Sequence, residues 1–196
     1  MALSTDSGQA DAAVRAAQRE DSVLLVIDVQ ERLLPHIDDQ ANVLKFCQRI
    51  VQTASRLAVP IVCTEQYPKG LGPTVAPLKE LLAGVEVREK TAFSCCGADG
   101  FVDSLRSLGR RQVVVIGIEA HVCVEQTVLD LLAAGFAIYV AADAVSSRRP
   151  LDRFVALDLM RQAGAVVTTT EAVMFQWLKV AGTSEFKDVS RLVREL

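Results

Sequence analysis

The chain has 196 residues, of which 51% are hydrophobic, and it carries a formal net charge of −3. This length fits one domain, and an acidic balance without a basic run argues against nucleic acid as a partner. The longest apolar stretches, such as residues 113–118, are far shorter than the ~20 residues of a membrane-spanning helix, so no membrane partner is expected.

The first 20 residues are Ala-rich and polar and lack the apolar core of an export signal. We interpret residues 1–20 as a mobile N-terminal tail, or as a short surface helix over residues 10–20, ahead of a single domain at residues 21–196. Five cysteines occur without the spacing of a disulfide framework: Cys47, Cys63, Cys95, Cys96 and Cys123. Without an export signal they indicate reduced thiols and a cytoplasmic location.

Beyond the tail, short β-rich runs alternate with segments of helical periodicity, and Gly or Pro separates them. Strands are predicted at residues 23–28, 60–64, 85–89, 112–117, 136–142 and 165–169, and helices at residues 41–57, 99–109, 122–134, 151–163 and about 171–180, with a short one at the C-terminus. This alternation predicts an α/β fold, a doubly wound, Rossmann-like, six-stranded parallel sheet with helices on both faces. The loop at residues 65–77 is rich in Gly and Pro and is long enough to form a pocket wall.

Three residues with reactive side chains end or follow predicted strands. Asp28 ends the first strand, Lys90 follows the third, and Cys123 opens the helix after the fourth. Ligands bind outside the carboxyl ends of the strands in an open parallel sheet, so these side chains are expected at one rim. Each residue also has an interpretation without a functional role. The carboxylate can cap a helix, the ammonium can be a surface group, and the thiol can be a small buried hydrophobic side chain.

A carboxylate, an ammonium and a thiol together suit nucleophilic catalysis. The position of Cys123 at a helix N-terminus and a nearby lysine both predict a lowered thiol pKa. Asp28 would take the thiol proton and return it to the leaving group, while Lys90 keeps the carboxylate oriented. Backbone N–H groups at and before Cys123 would form an oxyanion hole. A nucleotide-binding enzyme is the weaker alternative, because the turn after the first strand lacks the glycines that a pyrophosphate requires.

Three blocks of sequence resemble the signature blocks of the isochorismatase-like cysteine hydrolases. They are residues 24–30 (LLVIDVQ), 89–94 (EKTAFS) and 117–124 (GIEAHVCV), and residues 143–148 (DAVSSR) also match the family. The resemblance covers about residues 20–190 in order and spacing. Residues 64–74 (TEQYPKGLGPT) look closest to the branch known as isochorismatase domain-containing proteins.

The resemblance implies a catalytic triad of Asp28, Lys90 and Cys123. It also implies a cis peptide bond between Ile118 and Glu119, which aims the N–H of Glu119, beside that of Cys123, at a developing oxyanion. In family members that cleave amides, the cysteine attacks the carbonyl, an amine leaves, and water releases the acyl group from a thioester. We therefore expect hydrolysis of a small amide or a related carbonyl compound.

Departures from two known relatives narrow the expected chemistry. Nicotinamidases carry an Asp-x-His metal cluster where this chain has Gln66, Tyr67 and Pro68. With two histidines in the whole sequence, a zinc site of that type cannot be assembled, so neither a metal nor another cofactor is expected. Isochorismatases proper lack the nucleophilic cysteine, which this chain keeps. A catalytically idle member that serves as a binding or scaffold protein is the alternative to a hydrolase.

Several neighbours of the triad are candidate substrate contacts. Gln30, Tyr67, Phe93 and Glu119 are predicted to form pocket walls, although packing, or for Glu119 a hydrogen bond to a neighbouring loop, explains each equally well. His121 is not expected to act as the base, since its side chain diverges from Cys123 at a helix start. The excess of apolar residues and the family both predict a homo-oligomer: a dimer, a tetramer or a larger assembly.

Overall fold

A six-stranded parallel sheet forms the centre of the protein, which a computed structural model describes over residues 16–194. The strands are β1 (Ser22–Ile27), β2 (Ile61–Gln66), β3 (Val87–Lys90), β4 (Gln112–Ile118), β5 (Ala137–Ser146) and β6 (Val166–Thr168). Their order is β3-β2-β1-β4-β5-β6, and every neighbouring pair is parallel. The doubly wound fold predicted from the sequence is confirmed. Its switch point, where ligands bind in such sheets, lies between β1 and β4.

Helices cover both faces of the sheet. They are α1 (Gln40–Arg56), α2 (Pro68–Leu71), α3 (Ala76–Lys79), α4 (Phe101–Ser107), α5 (Glu125–Ala133), α6 (Pro150–Gln162), α7 (Thr170–Leu178) and α8 (Ser184–Arg194), and a π-helical turn (Ala120–Val124) precedes α5. Successive β1 residues point to opposite faces, so Leu24 and Val26 pack with α1, α7 and α8, whereas Leu25 and Ile27 pack with α4, α5 and α6. All six residues of β1 are buried, as expected for a strand with helices on both sides.

Two segments differ from the sequence-based prediction. Strand β5 runs to Ser146, so residues 143–146 lie within the strand rather than after it. The segment at residues 65–77 is not a plain loop, since β2 extends to Gln66 and the short helices α2 and α3 follow, each with a proline in its first turn.

The predicted tail is partly wrong. Ala17 is fully buried in the apolar core, the Gln18 N–H donates to Oε1 of Gln112 at 2.6 Å, and Arg19 forms an ion pair of 2.9 Å with Glu185. Residues 16–20 are therefore packed against the domain, and they are not helical. The remainder of the predicted tail or helix, residues 1–15, lies outside the described residues. Within residues 16–194, no helix is both long and apolar enough to cross a membrane.

Candidate active site

Three strand ends bring Asp28, Lys90 and Cys123 together at the switch point. Asp28 follows β1, Lys90 is the last residue of β3, and Cys123 lies in the π-helical turn after β4. The Lys90 Nζ donates to Oδ2 of Asp28 at 2.7 Å, and both side chains are buried. The Cys123 thiol lies near enough to the Asp28 carboxylate for that charge to raise the thiol pKa. The three residues, which are distant in sequence, are thus neighbours at this edge of the sheet.

Asp28 has an unusual backbone and a fully engaged carboxylate. Its φ of 53° lies in the left-handed region, which Asp tolerates better than most residues and which is often found at functional sites. Oδ1 accepts a hydrogen bond of 2.7 Å from Oγ1 of Thr64, and Oδ2 faces Lys90. In this conformation the side chain contacts Thr64 of β2 and Lys90 of β3.

Oxygen atoms surround the Lys90 ammonium. Besides Asp28, Nζ donates to Oε1 of Gln66 at 2.7 Å and to the carbonyl oxygens of Phe93 at 2.9 Å and Ala92 at 3.3 Å. An ammonium has three protons to donate and no lone pair, so a cage of acceptors stabilises the charged form. In this setting the Lys90 ammonium compensates the charge of Asp28.

The Cys123 thiol is held neutral. Burial raises its pKa well above the ordinary value, the nearby Asp28 carboxylate raises it further, and the Lys90 ammonium lowers it by less than these effects. The lowered pKa predicted from the sequence is therefore wrong, because burial and the nearby carboxylate outweigh the lysine and the helix terminus. Attack by this sulfur requires the thiol proton to leave as the new bond forms.

The loop after β4 carries the predicted oxyanion donors. The peptide bond between Ile118 and Glu119 is cis. The Glu119 carboxylate does not face the thiol, since its Oε2 accepts from Nε of Arg148 at 2.9 Å and from the Arg148 backbone N–H at 3.2 Å. Of the two roles considered for this side chain, the structure shows the hydrogen bond to a neighbouring loop.

The other predicted pocket residues separate into two groups. Gln30 is fully buried, accepts from the Gln66 N–H at 2.8 Å and donates to the Gly72 carbonyl at 2.6 Å. It therefore supports the strand ends and does not line a pocket, which corrects the sequence-based prediction. Tyr67 and Phe93 are more than half exposed. His121 is turned aside, with Nδ1 2.9 Å from Oγ of Ser147.

An open cavity of about 980 Å³ runs along the outer side of β3. Tyr67, Pro68 and Lys69 form one wall and Gly97, Ala98 and Asp99 another, with residues 86–91 between them. Lys90 is the member of the triad that lines it. Cys123 and Lys90 each keep 5% of their surface exposed, and Cys123 does not line this cavity.

Sequence reasoning missed the polar residues that hold the triad. Thr64 and Gln66 stand in β2 in register with Ile27 of β1 and Lys90 of β3, and this register could have indicated them. Thr127 is a second omission. Its hydroxyl donates to the Cys123 carbonyl at 2.6 Å and accepts from the Cys95 N–H at 2.9 Å. Within residues 16–194, no group of three or more His, Cys, Asp or Glu side chains is placed to hold a metal ion.

Comparison with known proteins identifies relatives of the whole fold. The Isochorismatase domain model matches residues 22–172. "Isochorismatase domain-containing protein 2" of Danio rerio is 42% identical over 173 residues, which cover 88% of this chain and 86% of the relative.

Solved structures also resemble the chain. One described as MAR1 ribonuclease from Caenorhabditis elegans has a TM-score of 0.87 and 40% identity, covering 92% of this chain and 93% of the other. The YcaC gene product of Escherichia coli, described as an octameric hydrolase of unknown specificity, has a TM-score of 0.82 and 22% identity, with 92% and 95% covered. At that identity the likeness to YcaC concerns the fold alone.

Proposed function

The chain belongs to the isochorismatase family, and from that premise we propose that it is a metal-independent cysteine hydrolase of a small amide or related carbonyl compound. Membership of the family supports a hydrolase in general. The observation that carries the finer proposal is the buried ion pair of Asp28 and Lys90 at 2.7 Å, with the Cys123 thiol near enough to the same carboxylate for its charge to raise the thiol pKa. This arrangement places a nucleophile beside a base in a buried site.

In the first half of the proposed reaction, the Cys123 sulfur attacks the substrate carbonyl carbon while Asp28 takes the thiol proton. The carbonyl oxygen becomes an oxyanion, which the backbone N–H groups of Glu119 and Cys123 stabilise by roughly 3 kcal/mol for each donor. The C–N bond then breaks, and the protonated Asp28 gives its proton to the departing nitrogen. An amine or ammonia leaves, and the acyl group remains on sulfur as a thioester.

In the second half, Asp28 repeats these roles with water as the nucleophile and the sulfur as the leaving group. Asp28, again a carboxylate, takes a proton from water as the water oxygen attacks the thioester carbon. The C–S bond breaks, and the proton returns from Asp28 to the sulfur. The net reaction consumes one amide and one water and yields a carboxylic acid and an amine. Lys90 keeps its proton throughout, because its three protons point at acceptor oxygens.

Release of amine from a panel of small amides and ureides tests the proposal, with the Cys123→Ala variant as the comparison. Cys96→Ala is the matched control, since Cys96 is half-buried and outside the triad. Turnover by the wild type and the control, its loss in Cys123→Ala, and an acyl adduct on Cys123 in mass spectra are expected. Turnover that survives Cys123→Ala contradicts the proposed nucleophile. A folded protein inactive on the whole panel favours an idle member that binds ligands.

RNA is a second candidate substrate, because a structure 40% identical to this chain is described as a ribonuclease. The charges along the cavity favour it less than a small molecule: Lys69 and Arg88 stand beside Glu86, Glu89 and Asp99. Single-stranded RNA therefore belongs in the same panel. RNA cleavage that does not depend on Cys123 would support this second candidate.

The proposed enzyme acts on a small-molecule substrate and works as a homo-oligomer, without nucleic acid or membrane as a partner. The description of one structural relative as an octamer supports the oligomer. A cytoplasmic location stays a prediction, which the five free thiols support. Light scattering that gives a monomer at micromolar concentration would contradict the oligomeric part.

A further inference from the structure

Helix α6 is apolar on two opposite faces. Ala156, Leu157 and Met160 are buried against the sheet. On the solvent side, four large side chains are exposed at helical spacing: Leu151 (69%), Phe154 (69%), Val155 (52%) and Leu159 (39%). A surface helix normally turns polar residues outward, and single exposed apolar residues are usually scattered. We call these four residues the α6 stripe.

The sequence around the α6 stripe is symmetric about Val155. A leucine stands four residues before and after it, at 151 and 159, an aspartate three residues either side, and an arginine six residues either side, at 149 and 161. Each aspartate pairs with the arginine of its own end: Arg149 with Asp152 at 2.8 Å and Arg161 with Asp158 at 3.6 Å. The charges at both ends of the stripe are therefore balanced within the helix.

This pattern favours a second copy of the chain as the occupant of the stripe. In a two-fold contact, residue i meets residue j and j meets i, so the surface must complement itself. An antiparallel pair of α6 helices crossing at Val155 places Leu151 of one copy level with Leu159 of the other. We propose that the α6 stripe is a two-fold interface between two copies of this chain, with Val155 next to the axis.

The size of the stripe fits the centre of such an interface. A fully covered aromatic side chain buries about 150–250 Å² and an aliphatic one somewhat less, so these four partly exposed side chains together contribute on the order of 400 Å². A stable interface buries about 800 Å² on each partner. The stripe thus supplies the apolar core, and the balanced ion pairs of Arg149 and Arg161 supply part of the polar rim, as interfaces commonly have.

The proposed interface adjoins the candidate active site. Helix α6 packs against the π-helical turn that holds Cys123. Arg148, two residues before the helix, binds the Glu119 carboxylate, and Asp152 in its first turn lies 4.0 Å from Nε2 of His121. Pairing of two α6 helices therefore fixes the segment to which the catalytic loop is attached.

Disulfide trapping tests the two-fold axis, since a residue beside the axis faces its own copy. In a Cys96→Ala background, Val155→Cys is compared with Val180→Cys, a valine exposed at 61% outside the stripe. Under mild oxidation we expect Val155→Cys to form a covalent dimer at least about tenfold faster, because paired thiols meet at an effective millimolar concentration. Equal rates at the two positions, or no dimer at either, would overturn the proposal.

A second measurement does not depend on thiols. We expect the double variant Leu151→Asp, Leu159→Asp to reduce the mass found by light scattering to half or less, while Val180→Asp leaves it unchanged. Circular dichroism checks that both variants fold. A folded double variant of unchanged mass overturns the proposal. If that variant also loses binding to phosphatidylcholine vesicles that the wild type shows, the stripe contacts a membrane surface instead. Neither experiment uses activity, so the interface and the proposed hydrolase fail independently.

Discussion

The site depends on the Asp28 carboxylate, because a hydroxyl and an ammonium donate to it and its charge raises the pKa of the neighbouring thiol. In the proposed mechanism the carboxylate gains and loses a proton twice in each turnover, while Lys90 stays charged. A buried ion pair of this kind adds little to stability, since desolvation offsets the attraction between the charges. Its contribution is to hold a base against a neutral thiol.

Replacing this carboxylate by an amide separates its two effects. Asp28→Asn is expected to lower kcat/KM by roughly 10²–10⁴-fold, because the base is lost. The same change lowers the pKa of Cys123, because the carboxylate that raises it is gone. Steady-state kinetics and the pH dependence of Cys123 alkylation measure the two effects.

Asp39→Asn is the matched control, since Asp39 has the same φ of 53° and is exposed. It should change neither quantity. Unchanged turnover in Asp28→Asn would exclude the carboxylate as the base.

Thr64 is expected to position the carboxylate without taking part in the chemistry. Thr64→Val keeps the shape and removes the donor to Oδ1, which costs about 1–3 kcal/mol of stability at a buried acceptor. We expect kcat to fall while KM changes little, since the hydroxyl orients the base. Thr64→Ser retains the hydroxyl and should restore kcat. A serine variant as impaired as the valine variant would show that packing matters at this position instead.

At the scale of elements, the approach of β1 to β4 determines the geometry of the site. Gly117 of β4 has a φ of +125°, and a Cβ built there would lie 2.0 Å from the Ile27 carbonyl oxygen, next to Asp28. No rotation of a flexible side chain relieves a contact with backbone. Glycine at this position thus allows the strand ends of the nucleophile and the base to lie side by side.

Gly117→Ala is expected to prevent folding or to lower the free energy of unfolding by more than about 3 kcal/mol, because the costs of backbone strain and of overpacking add. Gly135→Ala is the control, because Gly135 also has a positive φ, of +90°, but nothing lies within 4 Å of its Cβ position. It should cost only about 1 kcal/mol. Urea unfolding of both variants measures the difference, and equal costs would show that the contact with Ile27 is relieved elsewhere.

The strands and the meeting of Asp28, Lys90 and Cys123 could be predicted because their signals are local. Apolar runs marked most of the strands, the largely charged β3 gave a weaker signal, and charged or reactive residues at strand ends marked the three side chains. The end of β5 could not be predicted, because Asp143 interrupts its apolar run. Its carboxylate accepts from the N–H and the hydroxyl of Thr170 at the start of α7, a tertiary contact that no spacing along the chain reveals.

The error in the pKa of Cys123 has the same origin. Helix position and a nearby lysine can be inferred from sequence, but the extent of burial and the stronger effect of the Asp28 charge on the thiol cannot. Thr64 and Gln66 were missed for a related reason. Neutral polar residues in a strand suggest no chemistry until the register places them beside charged groups.

At the scale of the whole molecule, buried thiols make the fold sensitive to alkali. Burial raises the pKa of Cys63 and of Cys95 to about 12, and that of Cys47 and Cys123 above the ordinary value of 9. The folded protein therefore keeps these protons where the unfolded chain releases them. Stability is unaffected below about pH 9 and is lost as the pH rises above it, since the unfolded state then binds fewer protons.

The free energy of unfolding is accordingly expected to decline between pH 9 and pH 11, with each buried thiol contributing up to about 1.4 kcal/mol per pH unit. Urea unfolding over this range measures the slope. Cys47→Ala removes one thiol far from the triad and should reduce the slope by one such increment. A slope unchanged by this variant would mean that other groups account for the alkaline loss.

Lys90 belongs to the edge strand β3. This strand is four residues long and, among the described strands, pairs only with β2. Margins of a sheet open at a lower free energy than its centre. When β3 detaches, the ammonium withdraws from the carboxylate while the other five strands remain assembled. On warming, this protein should therefore lose its catalytic activity at a lower temperature than that at which it unfolds. In native-state hydrogen exchange, the amides of β3 should exchange faster than those of β1 and β4.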